Sequence, residues 1–395
     1  MDCSQITLNR IYEETGIKYE YLFMANWANI SMHQTLSEEF MREFYKKLEW
    51  GNICMYQMLS ENFMEEFKHK INWDLISEYQ KLSEDFIRKF QDKVNWYSIS
   101  AYQKLSEDFM KEFKDMLKWV GASEYQKLSE DFIREFKDKV DWVYISKHQI
   151  LSENFIKEFE DKVDWYNICV YQKLSEDFIR EFKNKVIWIY ISINQNLSEN
   201  FIKEFKSEVD WFDVSVYQKL SENFIREFQN EVYWDYISKY QKLSENFIRE
   251  FQNEVSWCYI CEHQKLSPEF IKEFDLVIDE DSWLYKDAEF KKKQVIETGL
   301  YECYDDYFIA YKSIRNDRYS FFNFQYQYLK GGVYECHCDT TKDENSFGLS
   351  AWTEEEAKKF YSRGLIVKVK IKYKDVGRVV HKGGKIRCFK FEVLD

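Results

Sequence analysis

Cys336-His337-Cys338 is the densest group of metal-binding side chains in the sequence, and Cys303, His381 and Cys388 could join it as soft ligands for zinc. The usual close Cys-Cys spacing of a zinc site is missing, however. In an extended strand Cys336 and Cys338 also face one way and His337 the other. No metal ion and no cofactor is therefore expected. Lys368, Lys370 and Lys372 alternate with Val367, Val369 and Ile371. In a strand these lysines share one face, which could hold phosphate or nucleic acid; a solvated face or a lysine-blunted edge produces the same pattern. Arg315, His337, Trp352 and His381 could line a pocket if this region were an enzyme. No glycine-rich phosphate loop, paired helical zinc histidines or serine nucleophile elbow accompanies them, so no catalytic residue is assigned.

These residues lie in a C-terminal region unlike the rest of the chain. Upstream, Trp recurs at 27, 50, 73 and onward to 257, always 23 residues apart. The consensus is W-x-x-I-S-x-Y-Q-K-L-S-E-x-F-I-R-E-F-x-x-x-V-x, in eleven copies. A fixed period of this length is the mark of a repeat array. Each unit holds two helical patterns. One begins at the Ser of L-S-E: after Ser129, Phe132, Phe136 and Val140 recur on one helical face, with Ile133 alongside. Ser is a good N-cap, and Pro268 directly follows Ser267, at the first helical position, where a missing N–H does no harm. The other helix runs from Trp to about Gln, capped in several units by Asn72, Asn95, Asp141, Asp164 or Asp210. The unit is short for two full helices, so the Trp segment is expected to be the shorter one and partly 3₁₀.

Neither helix can bury its apolar face alone, so the units must stack. The predicted fold is mostly α: an αα-solenoid over 27–278, with a degenerate cap over 1–26 in which Ile17, Tyr21 and Ala25 occupy the apolar slots. A linker over 279–298 and a small α+β domain over 299–395 follow. In that domain strands are expected at 308–314, 333–339 and 366–373, a helix capped by Thr353, and a hairpin turn at Gly383-Gly384.

Gln recurs in every unit, from Gln34 to Gln264. Catalysis has no use for eleven copies of one amide. Hydrogen bonding to the turn or to the next unit is the plain explanation, and a ligand-binding ladder the alternative. Three cysteines, Cys54, Cys169 and Cys261, replace a recurrent Ser, which reads as a small buried slot. Glu130 before Arg134 and Glu135 before Lys139 are stabilising helix pairs and a solvated face. The variable positions flanking this frame carry aromatics: Tyr97, Tyr144, Tyr166, Tyr190, Phe212, Tyr236 and Tyr259. Aromatic variation on rigid short helices resembles a protein-binding surface, although drift on an exposed face also produces it.

Residues 1–285 hold 35 Lys and Arg against 53 Asp and Glu, while residues 286–395 hold 21 against 17. An acidic array is a poor ligand for nucleic acid, which needs clustered cations. No apolar run is long enough to span a membrane. The N-terminal residues show no basic segment leading into an apolar one, and nine Cys is an odd number. Both observations give the expectation of a chain kept in the cytosol with reduced thiols.

The string L-S-E-D-F-I-R-E-F-K-D-K-V-D-W, with I-S-x-Y-Q-K, resembles tandem repeats in uncharacterised proteins of mimivirus-like giant DNA viruses. The resemblance covers about residues 27–275. The segment from Gly299 to Leu394 is similar to small domains that such viruses append to repeat arrays. The resemblance implies a protein of the infected cell's cytoplasm or of the virion, and carries over no catalytic residue. The leading expectation is a repeat scaffold that binds a host or viral protein. An enzyme sited in the C-terminal domain, with the solenoid recruiting substrate, and a structural virion component are the alternatives.

Overall fold

The computed structural model describes residues 12–18, 26–279, 281–321, 324, 326–360 and 364–395. Tyr21 and Ala25 lie outside these residues. The chain divides into two compact units, residues 1–164 and 165–395. The first unit holds the N-terminal residues and repeats; the second holds the remaining repeats and the C-terminal domain.

Every repeat contributes two short α-helices. The Trp helix is typified by Trp142–His148 and the Ser helix by Glu130–Glu135. Ser129 accepts a hydrogen bond from the Phe132 N–H at 3.2 Å, and the equivalent Ser caps its helix in each repeat through Ser267, where Pro268 is the first helical residue. Asn72, Asn95, Asp141 and Asp210 cap their Trp helices. The relative lengths differ from expectation. The Trp helix is fully α and, at seven residues, the longer of the two; the Ser helix stops after six. Beyond Phe136 the chain continues as tight turns, with the Lys139 and Val140 N–H groups both donating to the Phe136 carbonyl at 2.8 and 3.1 Å. That early stop carries Lys139 off the face of Glu135. Lys139 instead pairs with Asp115 at 2.8 Å, and Glu135 with Lys111 at 2.8 Å, each one repeat away. Glu130 and Arg134, within the helix, do approach, at 3.6 Å.

Phe132, Ile133 and Ile145 are buried, and the Trp142 ring lies against Phe159 at 4.9 Å between centroids. The Trp142 indole N–H donates to the Lys137 carbonyl at 2.9 Å, so a large, half-buried ring packs with its polar edge satisfied. The Ser-or-Cys slot is buried at Cys54 and Cys169 and partly exposed at Cys261. Its hydroxyl is also used: Ser100 donates to the Trp96 carbonyl at 2.6 Å and accepts from the Lys118 N–H at 2.9 Å. The Gln is the main stitch between neighbours. Gln103 accepts from the Leu82 N–H at 3.0 Å and donates to the Ser77 and Gln80 carbonyls at 2.9 and 2.7 Å. This is the hydrogen-bonding role expected from the sequence. At the first repeat, Glu14 accepts from the Ser37 N–H at 2.8 Å, as Glu38 does for Ser60 at 2.7 Å, which makes 12–18 a cap of the array.

The C-terminal domain is an antiparallel sheet. Its strands are β1 (Glu302–Cys303), β2 (Tyr307–Ile314), β3 (Val333–Glu335), β4 (Leu349–Trp352), β5 (Leu365–Lys372), β6 (Val376–Val380), β7 (Lys385–Cys388) and β8 (Lys390–Val393). Their order is β3-β8-β5-β2-β4-β7-β6, with β1 beside β2. The hairpin at Gly383-Gly384 joins β6 to β7, and Thr353 caps the helix Glu354–Phe360 through the Glu356 N–H at 3.3 Å. Only three residues of the expected 333–339 strand pair with a neighbour. The segment expected as a linker is part of the domain: Trp283 and Val295, the latter in the helix Ala288–Glu297, belong to the same core as Phe308, Val369 and Ile386.

Candidate functional site

The aromatic candidates separate by unit. In the first, Tyr97 is exposed and Tyr144 stacks on His148 at 6.0 Å, within its own helix. In the second they gather. Tyr166 meets Tyr190 edge-on at 4.8 Å, and Phe212 meets Tyr236 edge-on at 4.7 Å. Tyr233, just before its Trp and overlooked in the sequence, meets Phe212 at 5.6 Å and is exposed. Ile187 and Ile189 add exposed apolar surface from the same repeat as Tyr190. Tyr259 instead lies beside His263 at 5.9 Å and under the Lys239 ammonium at 5.3 Å. The structure thus brings four of the seven together as two edge-on pairs on neighbouring Trp helices.

A second face emerges at the sixth residue after each Trp. The sequence places Tyr there as part of the constant frame, which reads as core. In the first unit it is surface: Tyr56, Tyr79, Tyr102 and Tyr125 are 37–52 % exposed. In the second unit the C-terminal domain covers it at Tyr171, Asn194, Tyr240 and His263, while Tyr217 stays 42 % exposed. Arg315, held by Asp317 at 3.1 Å, donates to the Tyr171 carbonyl, and the Phe324 N–H donates to the Asn194 carbonyl at 3.2 Å. The Lys173 ammonium donates to the Tyr319 hydroxyl and stands 4.5 Å from the ring centre. Phe347 packs edge-on against Tyr240 at 4.7 Å and beside His263 at 5.6 Å. Asn194 and His263 are 8 % and 2 % exposed as a result. The sequence carries one signal of this: His33, His148, Asn194 and His263 replace Tyr here, and polar substitutes are out of place in a core.

The other candidate groups do not converge. His337 stacks on Phe347 at 5.3 Å, and burial depresses its pKa to about 4. Trp352 stacks on Phe360 at 4.8 Å. His381 is exposed, 3.3 Å from Glu344. Arg387 is fully buried, with Asp339 at 3.3 Å and its Nε unpaired. An open cleft of ≈ 320 Å³ is lined by Trp283, Gln294, Glu297, Arg378 and Lys382 among others, and by none of the enzyme candidates Arg315, His337, Trp352 and His381. Among the described residues no three His, Cys, Asp or Glu side chains group as a metal site. Burial pushes the Cys336 thiol up to about 12 and the Cys338 and Cys388 thiols well above their ordinary value, which opposes the thiolate a metal needs.

Lys368, Lys370 and Lys372 lie on β5, which is central, between β8 and β2, so they blunt no edge. Their face is partly neutralised: Lys370 has Glu392 at 3.8 Å and Lys372 has Asp306 at 3.7 Å. Among the described residues no helix is long and apolar enough to cross a membrane. Compared with protein families, characterised proteins and solved structures, the chain has no significant match.

Proposed function

We propose that the chain is a protein-binding repeat scaffold, and that the paired aromatics of its second unit are one contact surface. The observation that carries this is the placing of Tyr166, Tyr190, Phe212, Tyr233 and Tyr236, most of them well exposed, on adjacent short helices anchored by buried Ile and Gln residues. Rigid, half-exposed Tyr and Phe offer large contact area at little entropic loss, and such residues dominate binding energy at protein interfaces. The acidic repeats favour a protein ligand over nucleic acid. The likeness of the repeats to giant-virus arrays extends the proposal to a host or viral protein as partner, met in the infected cell's cytoplasm or in the virion.

The test is affinity capture from host-cell lysate with the intact chain and with a variant carrying Tyr166→Ser, Tyr190→Ser, Phe212→Ser and Tyr236→Ser. A partner held by the intact chain and weakened by about tenfold or more in the variant is expected. Equal capture by both, with circular dichroism unchanged, would remove this patch as the site.

A further inference from the structure

The Tyr column of the first unit, at the sixth position after Trp, repeats a surface that the chain already uses in its second unit. There each repeat offers a side chain at that position, its backbone carbonyl, and in several repeats a Lys two residues on. The carbonyl lies in the last turn of its helix, where carbonyls have no intrahelical partner. The Gln network takes the neighbouring carbonyls instead: Gln103 bonds those of Ser77 and Gln80 and passes over that of Tyr79. The C-terminal domain fills these positions at Tyr171, Asn194, Tyr240 and His263 with an arginine, a backbone N–H and two aromatic rings, those of Tyr319 and Phe347.

The first unit presents the same set. Tyr56, Tyr79, Tyr102 and Tyr125 are exposed, and Tyr102 meets Tyr125 edge-on at 5.7 Å, so the column is continuous there. Lys81, Lys104 and Lys127 are exposed two residues beyond their Tyr. Glu78 hydrogen-bonds the Tyr79 hydroxyl and raises its pKa. The unit as a whole carries 22 Lys and Arg against 31 Asp and Glu, a net of −9, which suits a cationic ligand.

We propose that the column Tyr56, Tyr79, Tyr102 and Tyr125 docks a segment of a partner protein that presents arginine together with aromatic side chains, the chemistry the C-terminal domain presents to the second unit. The proposal rests on the scaffold reading but concerns a different face and a different unit. Arginine reaches a helix-end carbonyl and stacks on a Tyr; an aromatic ring takes the Lys ammonium; the acidic surroundings favour the charge.

The probe is a synthetic peptide of residues 313–328 of this chain, titrated by fluorescence anisotropy against the full-length protein, whose second unit is occupied by its own domain. The peptide is expected to bind. A variant with the four Tyr changed to Ser should bind about tenfold or more weakly, as should a peptide with Arg315→Ala and Tyr319→Ala. If the fourfold variant does not fold, Tyr102→Ser alone should weaken binding about threefold or more. Binding that persists in the variant with the second-unit aromatics removed keeps this result separate from the scaffold test. No binding, or equal binding to the four-Tyr variant, overturns the proposal. So does self-association of the intact chain that the four-Tyr change abolishes, since the occupant would then be a second copy.

Discussion

In the repeats the buried Gln103 amide meets Leu82, Ser77 and Gln80 and leaves no polar group over, whereas in the C-terminal domain the buried Lys312 ammonium has the Ser350 carbonyl at 3.0 Å and a surround of aromatic rings. Tyr328, Trp352 and Phe391 stand 5.0–6.0 Å from that ammonium, and burial lowers its pKa to about 8. Gln103 is neutral and gains more than it loses by burial; Lys312 must either shed a proton or remain charged in an apolar site. Buried polarity therefore holds the array together, and in the domain it is carried against a penalty.

Three changes would break or sharpen that contrast. The largest effect is expected from Gln103→Leu, which strands a buried N–H and two buried carbonyls. It should lower unfolding free energy by about 3–5 kcal/mol, read from the denaturant midpoint. A loss below about 1 kcal/mol would mean that the Gln stitch is dispensable. Lys312→Met should act in the opposite direction and less strongly. The folded pKa lies below the ordinary 10.5, so the unfolded chain binds more protons between pH 8 and 10.5, and stability rises with pH across that window. The penalty, about 3 kcal/mol at neutral pH, is partly offset by the bond to Ser350. The variant should be about 1–2 kcal/mol more stable at pH 7 and should lose the rise between pH 8 and 10.5. A destabilised variant with the rise intact would contradict the reading. The smallest effect belongs to Arg134→Ala. Its bond to Glu158, 2.7 Å long, joins neighbouring repeats, but solvent screens an exposed ion pair, so the thermal midpoint should barely move.

The same contrast explains what could be read in advance. Ser caps, Pro268 and the Gln stitch are local, or act one repeat away, and each is copied many times; a period of 23 makes a coincidence of any one residue visible. Lys139 leaves the face of Glu135 because the Ser helix ends at Glu135, one turn earlier than the apolar spacing suggests. The covering of Tyr171, Asn194, Tyr240 and His263 left almost no trace. Arg315 reaches Tyr171 across 144 positions, and nothing in a single sequence links two such residues. The Tyr233 contact has no sign in the sequence, because that residue precedes Trp, where Asn and Asp act as caps in other repeats. The basic face of β5 was legible as a face, but the central place of that strand depends on pairing with β8 and β2, which periodicity cannot reveal.

The scaffold reading is met most directly by amide hydrogen exchange on the chain with and without its captured partner. Slowed exchange in the Trp helices Trp165–Tyr171, Trp188–Asn194, Trp211–Tyr217 and Trp234–Tyr240, where the paired aromatics sit, is the expected result. Slowing confined to residues 299–395, with those helices unchanged, would contradict it and assign binding to the C-terminal domain.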